Sequence, residues 1–200
     1  MITLQDLRAG LAAHRARLAP DTGRARAAVA LVLAGPQEGS HLLFIERTER
    51  EGDPWSGHLA FPGGRLDAGD ADPQAAAERE TLEEVGLDLS RAEVLGRLDD
   101  LTGATLPVQV AAFVYHTPSR GPLAPSDEVR QAFWVGLEEL LRPERQVERR
   151  FPFRGLEGRS LPAIDLLGPG RPVLWGITYR FTAQLLRLAG HRLPRAEEML

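Results

Sequence analysis

Gly63-Gly64-Arg65-Leu66-Asp67-Ala68-Gly69-Asp70, then Arg79-Glu80-Thr81-Leu82-Glu83-Glu84-Val85-Gly86-Leu87, is the stretch that decides how this chain reads. Asp72-Pro73, between its halves, is a good helix start, with Asp as N-cap and Pro at the first helical position. Alanines and glutamates carry the helix to Glu84, and Gly86 suits the left-handed position just past its end. Glu80, Glu83 and Glu84 stand at i, i+3 and i+4, so three carboxylates share one face of one turn. Like charges so spaced repel, by roughly a few tenths of a kcal/mol per pair. A solvated acidic face is the bland reading. A hard divalent cation supplies a reason to gather them, since magnesium takes oxygen ligands, often a few carboxylates plus water and substrate phosphate. Phe61-Pro62-Gly63-Gly64 ahead of the helix favours the second reading. Its glycines let backbone approach a ligand closely.

Outward from this segment, strands alternate with helices. Ile2, Leu4, Leu7, Leu11 and Leu18 predict an amphipathic helix over 2–18, ended by Pro20, Asp21 and Gly23. Ala27–Leu33 and His41–Arg47 read as strands of a hairpin turning at Gly35–Gly39. Glu49–Gly57 is a polar loop, and Leu59–Phe61 leads into the glycines. Val94–Leu98, Val108–His116 and Gln131–Val135 read as strands and Leu137–Leu141 as a short helix. Arg149–Ile164 suggests a hairpin around Gly155–Gly158. Trp175–Ala189 suggests a last helix, with a polar, fraying end behind it. Strands interrupted by helices imply an α/β sandwich, and 200 residues without repeat or linker imply one domain, 1–200.

Composition excludes several chemistries. Without cysteine there is no disulfide, thiolate zinc site or thiol nucleophile. Without lysine there is no Schiff base, and any phosphate clamp must use arginine, backbone N–H groups or metal. A net charge of −4 and the lack of a basic stripe argue against a nucleic-acid partner, RNA caps included. No run of about 18 apolar residues predicts a membrane span. No signal-like N-terminus appears, so a cytoplasmic protein is expected. A homodimer through the N-terminal helix or the early hairpin is allowed, though no pattern demands it.

The glycine-to-helix segment resembles the signature of the Nudix hydrolase family. That signature runs G, five residues, E, seven residues, R-E, an apolar residue, any residue, E-E, any residue, G and an apolar residue. Arg79-Glu80, Glu83-Glu84, Gly86 and Leu87 match it position by position. Three departures stand out. Thr81 replaces the aliphatic residue, Asp70 stands in place of the first Glu, and one extra residue lies between Gly64 and Arg79. The resemblance implies an α/β/α sandwich with a central mixed sheet and the signature as a loop–helix–loop. It implies that Glu80, Glu83 and Glu84, with a backbone carbonyl near Gly63 or Gly64, bind Mg2+ or Mn2+. Arg79 would orient a glutamate through a salt bridge.

Further segments resemble the coenzyme A pyrophosphatase branch of that family: Leu42-Leu43, Arg47-Thr48, Gly57-His58-Leu59-Ala60-Phe61-Pro62-Gly63-Gly64, Ser126-Asp127-Glu128-Val129, Phe133-Trp134-Val135, and Leu174-Trp175-Gly176-Ile177-Thr178. That branch also tends to carry Asp at position 70 and the extra residue. It usually has Gln where His58 sits, and Gly52–Ser56 departs from its Arg- and His-containing segment. The resemblance implies hydrolysis of coenzyme A, or of another nucleoside diphosphate compound such as ADP-ribose, a dinucleotide or a nucleoside triphosphate. A non-catalytic binding module usually loses signature glutamates, and all three are kept here. Arg47, Arg50 and Arg65 are candidate phosphate contacts, with solvated surface arginines as the alternative. Trp55 is a candidate for stacking on adenine, with packing as its alternative. His58 is either a substrate contact or a structural loop histidine. The base that deprotonates the attacking water is Glu83 or Glu128, the latter on a loop that folds over the site.

Overall fold

The computed structural model describes residues 1–37, 39–51, 55–103, 108–151 and 158–193. The turn expected around Gly155–Gly158 and the fraying C-terminal end fall largely outside them, as does Gly52–Pro54 of the polar loop.

Two long strands, β1 (Ala25–Ala34) and β7 (Val108–Thr117), lie parallel along their whole length, from Ala25↔Val108 to Ala34↔Thr117. Both are rich in Ala and Val and buried on both faces, as a central parallel pair requires. β5 (Glu93–Arg97) and the short β6 (Leu101–Thr102) add antiparallel to β7. On the other side, β2 (His41–Arg47) meets β1 at two positions only, Leu33↔Leu42 and Ala34↔His41. The expected hairpin exists but splays. β2 turns its ladder to β8 (Val129–Gly136), pairing from His41↔Gly136 to Arg47↔Val129. The fork between β1 and β2 is filled by the chain from β3 (Leu59–Ala60), on β2, to β4 (Gly63–Arg65), on β1. The expected glycine turn is therefore partly strand. It is held further by the Ala30 N–H on the Pro62 carbonyl at 2.9 Å.

Alternation along the strands sends side chains to two cores. Ala28, Ala30, Val32, Leu43 and Ile45 face α2 (Pro73–Val85), whose buried Ala76 and Ala77 let it sit close to the sheet. Leu31, Leu33, Leu42 and Phe44 face α1 (Leu4–Ala13) and α3 (Gly176–Leu188), with Leu7, Leu11, Phe181 and Leu185 between. The result is the expected α/β/α sandwich. β9 (Gln146–Arg150) and β10 (Ser160–Ile164) form a separate antiparallel pair, after a short 3-10 turn at Leu137–Leu141.

The N-terminal helix is shorter than its apolar pattern suggested. It ends at Ala13, and Leu18 is 61% exposed. Residues 14–19 instead lie along the turn after β5. The Arg17 N–H and guanidinium donate to Asp99 at 2.7–2.9 Å, His14 Nε2 lies 3.0 Å from the same carboxylate, and the Ala19 N–H donates to Asp100 at 2.9 Å. Among the described residues, no helix is long and apolar enough to cross a membrane.

Candidate active site

Helix α2 begins where Asp72 accepts from the Ala75 N–H at 2.9 Å and ends at Gly86, whose φ is 69°. Its last turn carries the three glutamates, and each meets a different environment. Glu84 is buried against the fork and accepts from the Gly63 N–H at 2.8 Å and, more loosely, from Arg47 at 3.4 Å. Glu80 lies against Gly64. A Cβ there would stand 2.4 Å from the Glu80 carboxyl carbon, so position 64 admits only hydrogen while that carboxylate keeps its place. Gly63 has φ 151°, and a Cβ there would meet the Ala28 carbonyl oxygen at 2.3 Å. Glu83 points outward and is 59% exposed.

Arg79 organises this turn. Its Nη1 donates to Glu80 at 2.9 Å and to Glu83 at 3.2 Å. Its Nε and Nη2 donate to the two oxygens of Asp70 at 2.9 and 3.0 Å. Asp70 thus has a partner that the sequence left open: it pairs with the arginine that contacts Glu80 and Glu83. Its carboxyl is held down to about 2, chiefly by those Arg79 hydrogen bonds.

Glu128 reaches the site because its loop docks on the C-terminal end of α2. The Ala124 and Ser126 N–H groups donate to the Val85 and Glu84 carbonyls at 2.8 and 2.9 Å, capping groups that the helix leaves unpaired. Arg50 holds Glu128 at 2.8 Å, with Asp127 at 3.5 Å. Arg65 is exposed on β4 and offers its carbonyl to Arg79 at 3.2 Å. Trp55 is partly buried and packs against the α1–α3 core. His58 stands edge-on to Trp175 with ring centroids 5.3 Å apart, a partner sequence reading did not supply.

Among the described residues, Asp70, Glu80, Glu83, Glu84 and Glu128, with the exposed Asp67 and Asp127 at the edge, face the guanidiniums of Arg47, Arg50 and Arg79. Burial is the main cause that pushes the Glu84 carboxyl up to about 7, against the Gly63 N–H and Arg47, with smaller repulsion from Glu80 and Glu128. Burial likewise raises Glu80. An all-oxygen donor set with surplus negative charge suits a hard divalent cation. Among the described residues, no three of these side chains converge on one point: Glu80 and Glu83 meet at Arg79, and Glu84 turns to the Gly63 N–H.

The profile of the NUDIX domain matches residues 23–154. The chain belongs to the Nudix family. Its sequence is 33% identical over 193 residues to a mitochondrial coenzyme A diphosphatase of Homo sapiens, covering 86% of this chain and 77% of that protein. It is 33% identical over 118 residues to a peroxisomal coenzyme A diphosphatase of Mus musculus, covering 58% of this chain and 48% of that one. An uncharacterised Schizosaccharomyces pombe protein is 33% identical over 154 residues, 65% of this chain and 47% of its own length. Nudix enzymes generally use divalent metal ions, and this Nudix hydrolase is a pyrophosphatase of nucleoside diphosphate derivatives. The organelles in two of these names belong to those relatives, whereas the sequence suggested the cytoplasm for this chain.

Proposed function

We propose that this Nudix hydrolase cleaves the diphosphate of coenzyme A or its derivatives, giving 3′,5′-ADP and 4′-phosphopantetheine. The observation that carries this reading is the 33% identity to the human coenzyme A diphosphatase over 86% of the chain, glycine loop and carboxylate helix included. Glu80, Glu83, Glu84 and the Gly64 carbonyl are the groups that would hold Mg2+ or Mn2+. When bound, such an ion polarises the diphosphate oxygens and lowers the pKa of a water.

The chain's own residues do the rest. Arg79, fixed by Asp70, holds Glu80 and Glu83 in direction. Glu83 or Glu128 takes the proton of the attacking water as its oxygen bonds to one phosphorus and the bridging P–O bond breaks. Arg50 steadies Glu128 in that task. Arg47, Arg50 and Arg65 meet phosphate, and His58, braced by Trp175, borders the substrate.

The test is turnover of coenzyme A, ADP-ribose, NADH, diadenosine polyphosphates and nucleoside triphosphates with magnesium or manganese, alongside Glu83→Gln. Coenzyme A is expected to give the highest kcat/KM, and the variant to be nearly inactive. Preference for another diphosphate would keep the chemistry and refute the coenzyme A assignment. Metal binding without any turnover would make the chain a binding module.

A further inference from the structure

Glu46, the next-to-last residue of β2, is a carboxylate with 0% exposure in a strand whose other buried residues, Leu42, Leu43, Phe44 and Ile45, are apolar. Burying such a charge is costly unless each oxygen finds donors. Oε1 accepts from Arg130 Nη1 at 3.2 Å. Oε2 accepts from Gln131 Nε2 at 2.8 Å and from Arg171 Nη2 at 2.7 Å. One buried anion thus holds two cations, which come from β8 and from the turn where the Arg171 N–H donates to Gly168. The outer parts of these guanidiniums reach water: Arg130 is 46% and Arg171 44% exposed. A contact of Arg130 with the exposed Glu49, at 3.5 Å, is too weak to compete with a doubly charged ligand.

Neutralising Glu46 takes one N–H from each guanidinium, and the donors left over on their exposed parts suit a phosphate, because each guanidinium carries five. The place is also telling. Successive side chains of a strand point to opposite faces. Arg47 reaches Glu84 on the α2 face, and its neighbour Glu46 holds the arginine pair on the other. Both lie at the end of β2, beside the strand that leads into Pro62–Gly64. A nucleotide with its diphosphate at α2 would have to pass round that end to bring a second phosphate to the pair.

We infer that Arg130 and Arg171, locked side by side by Glu46, form a subsite for a phosphate monoester on the ribose of the nucleotide substrate, apart from the diphosphate being cleaved. The inference rests on the reading of the substrate as a nucleoside diphosphate compound. It makes the pair a specificity determinant: substrates with the ribose phosphate are favoured over those without it.

The test is calorimetric binding of 3′,5′-ADP and of AMP to the full chain without metal. The wild type is expected to favour 3′,5′-ADP by about 10-fold, the worth of one charge-assisted contact. Arg171→Gln and Arg130→Gln should each shrink that ratio, the double variant should abolish it, and Arg91→Gln, at an exposed position elsewhere, should keep it. Equal affinity in the wild type, no detectable binding of either nucleotide, or a ratio that survives the double variant overturns the inference. A purely structural role would weaken both nucleotides alike and leave the ratio intact. Coenzyme A turnover is scored separately. A preference for 3′,5′-ADP without coenzyme A hydrolysis would refute the proposed substrate and keep the subsite. Hydrolysis without the preference would do the reverse.

Discussion

Arg79 and Gly64 show how single residues set the site. Arg79 bridges Asp70, Glu80 and Glu83, so Asp70 acts on the glutamates only through it. Asp70→Asn keeps the shape and removes the charge. It should lower kcat by about 10- to 100-fold, the usual effect of losing an orienting partner, while KM stays near the wild-type value. The same pair has a pH signature. Asp70 titrates near 2 in the folded chain, below its ordinary value of about 4. Its stabilisation is therefore complete above about 4 and lost as pH falls through about 2. Thermal unfolding of the wild type and Asp70→Asn should show a Tm gap at pH 6 that closes across that window, and a constant gap would refute the assignment. At Gly64 the added methyl meets the movable carboxylate of Glu80 rather than backbone. Gly64→Ala should thus cut turnover by about 10-fold or more with little change in Tm. A large fall in Tm with activity kept would show that the clash is relieved elsewhere.

At the scale of elements, helix α2 follows its caps and α1 does not follow its apolar pattern. Asp72, Pro73 and Gly86 act locally, through groups within a turn of the helix ends, so the sequence alone places these ends. Asp72→Ala should cost about 1 kcal/mol in urea unfolding, and a loss near zero would mean that packing alone holds the first turn. Helix α1 starts on its own capping box, Thr3 with Asp6, yet stops short because residues 14–19 find partners on Asp99 and Asp100. Those partners are more than eighty positions away and leave no local signal. Asp99 accepts from Arg17 and Gln184 pairs with its backbone, so Asp99→Ala should cost about 1–3 kcal/mol and open residues 14–19 to proteolysis.

Across the whole molecule, the splay of β1 from β2 makes the site. The fork takes in Pro62–Gly64, and Glu80 and Glu84 of α2 lie against it. Phe44 anchors the fork, stacked on Phe61 at 5.0 Å and beside Phe133 at 6.2 Å. Phe44→Ala should cost about 3–5 kcal/mol and, unlike Asp72→Ala, lower activity well below the melting range, because it loosens the loop itself. Sequence alone determined what is encoded by neighbours a few residues apart: the α/β class, the α2 caps, the three glutamates on one turn and the glycines ahead of them. Only the tertiary structure decided what depends on residues far apart in the chain. It joins Asp70 to Arg79, lays the Glu128 loop on the end of α2, sets His58 on Trp175 and draws Arg130 and Arg171 to Glu46. Periodicity and caps are written in local spacing, whereas a strand's choice of partner, and so the company its side chains keep, follows from how both faces of the sheet bury their apolar area at once.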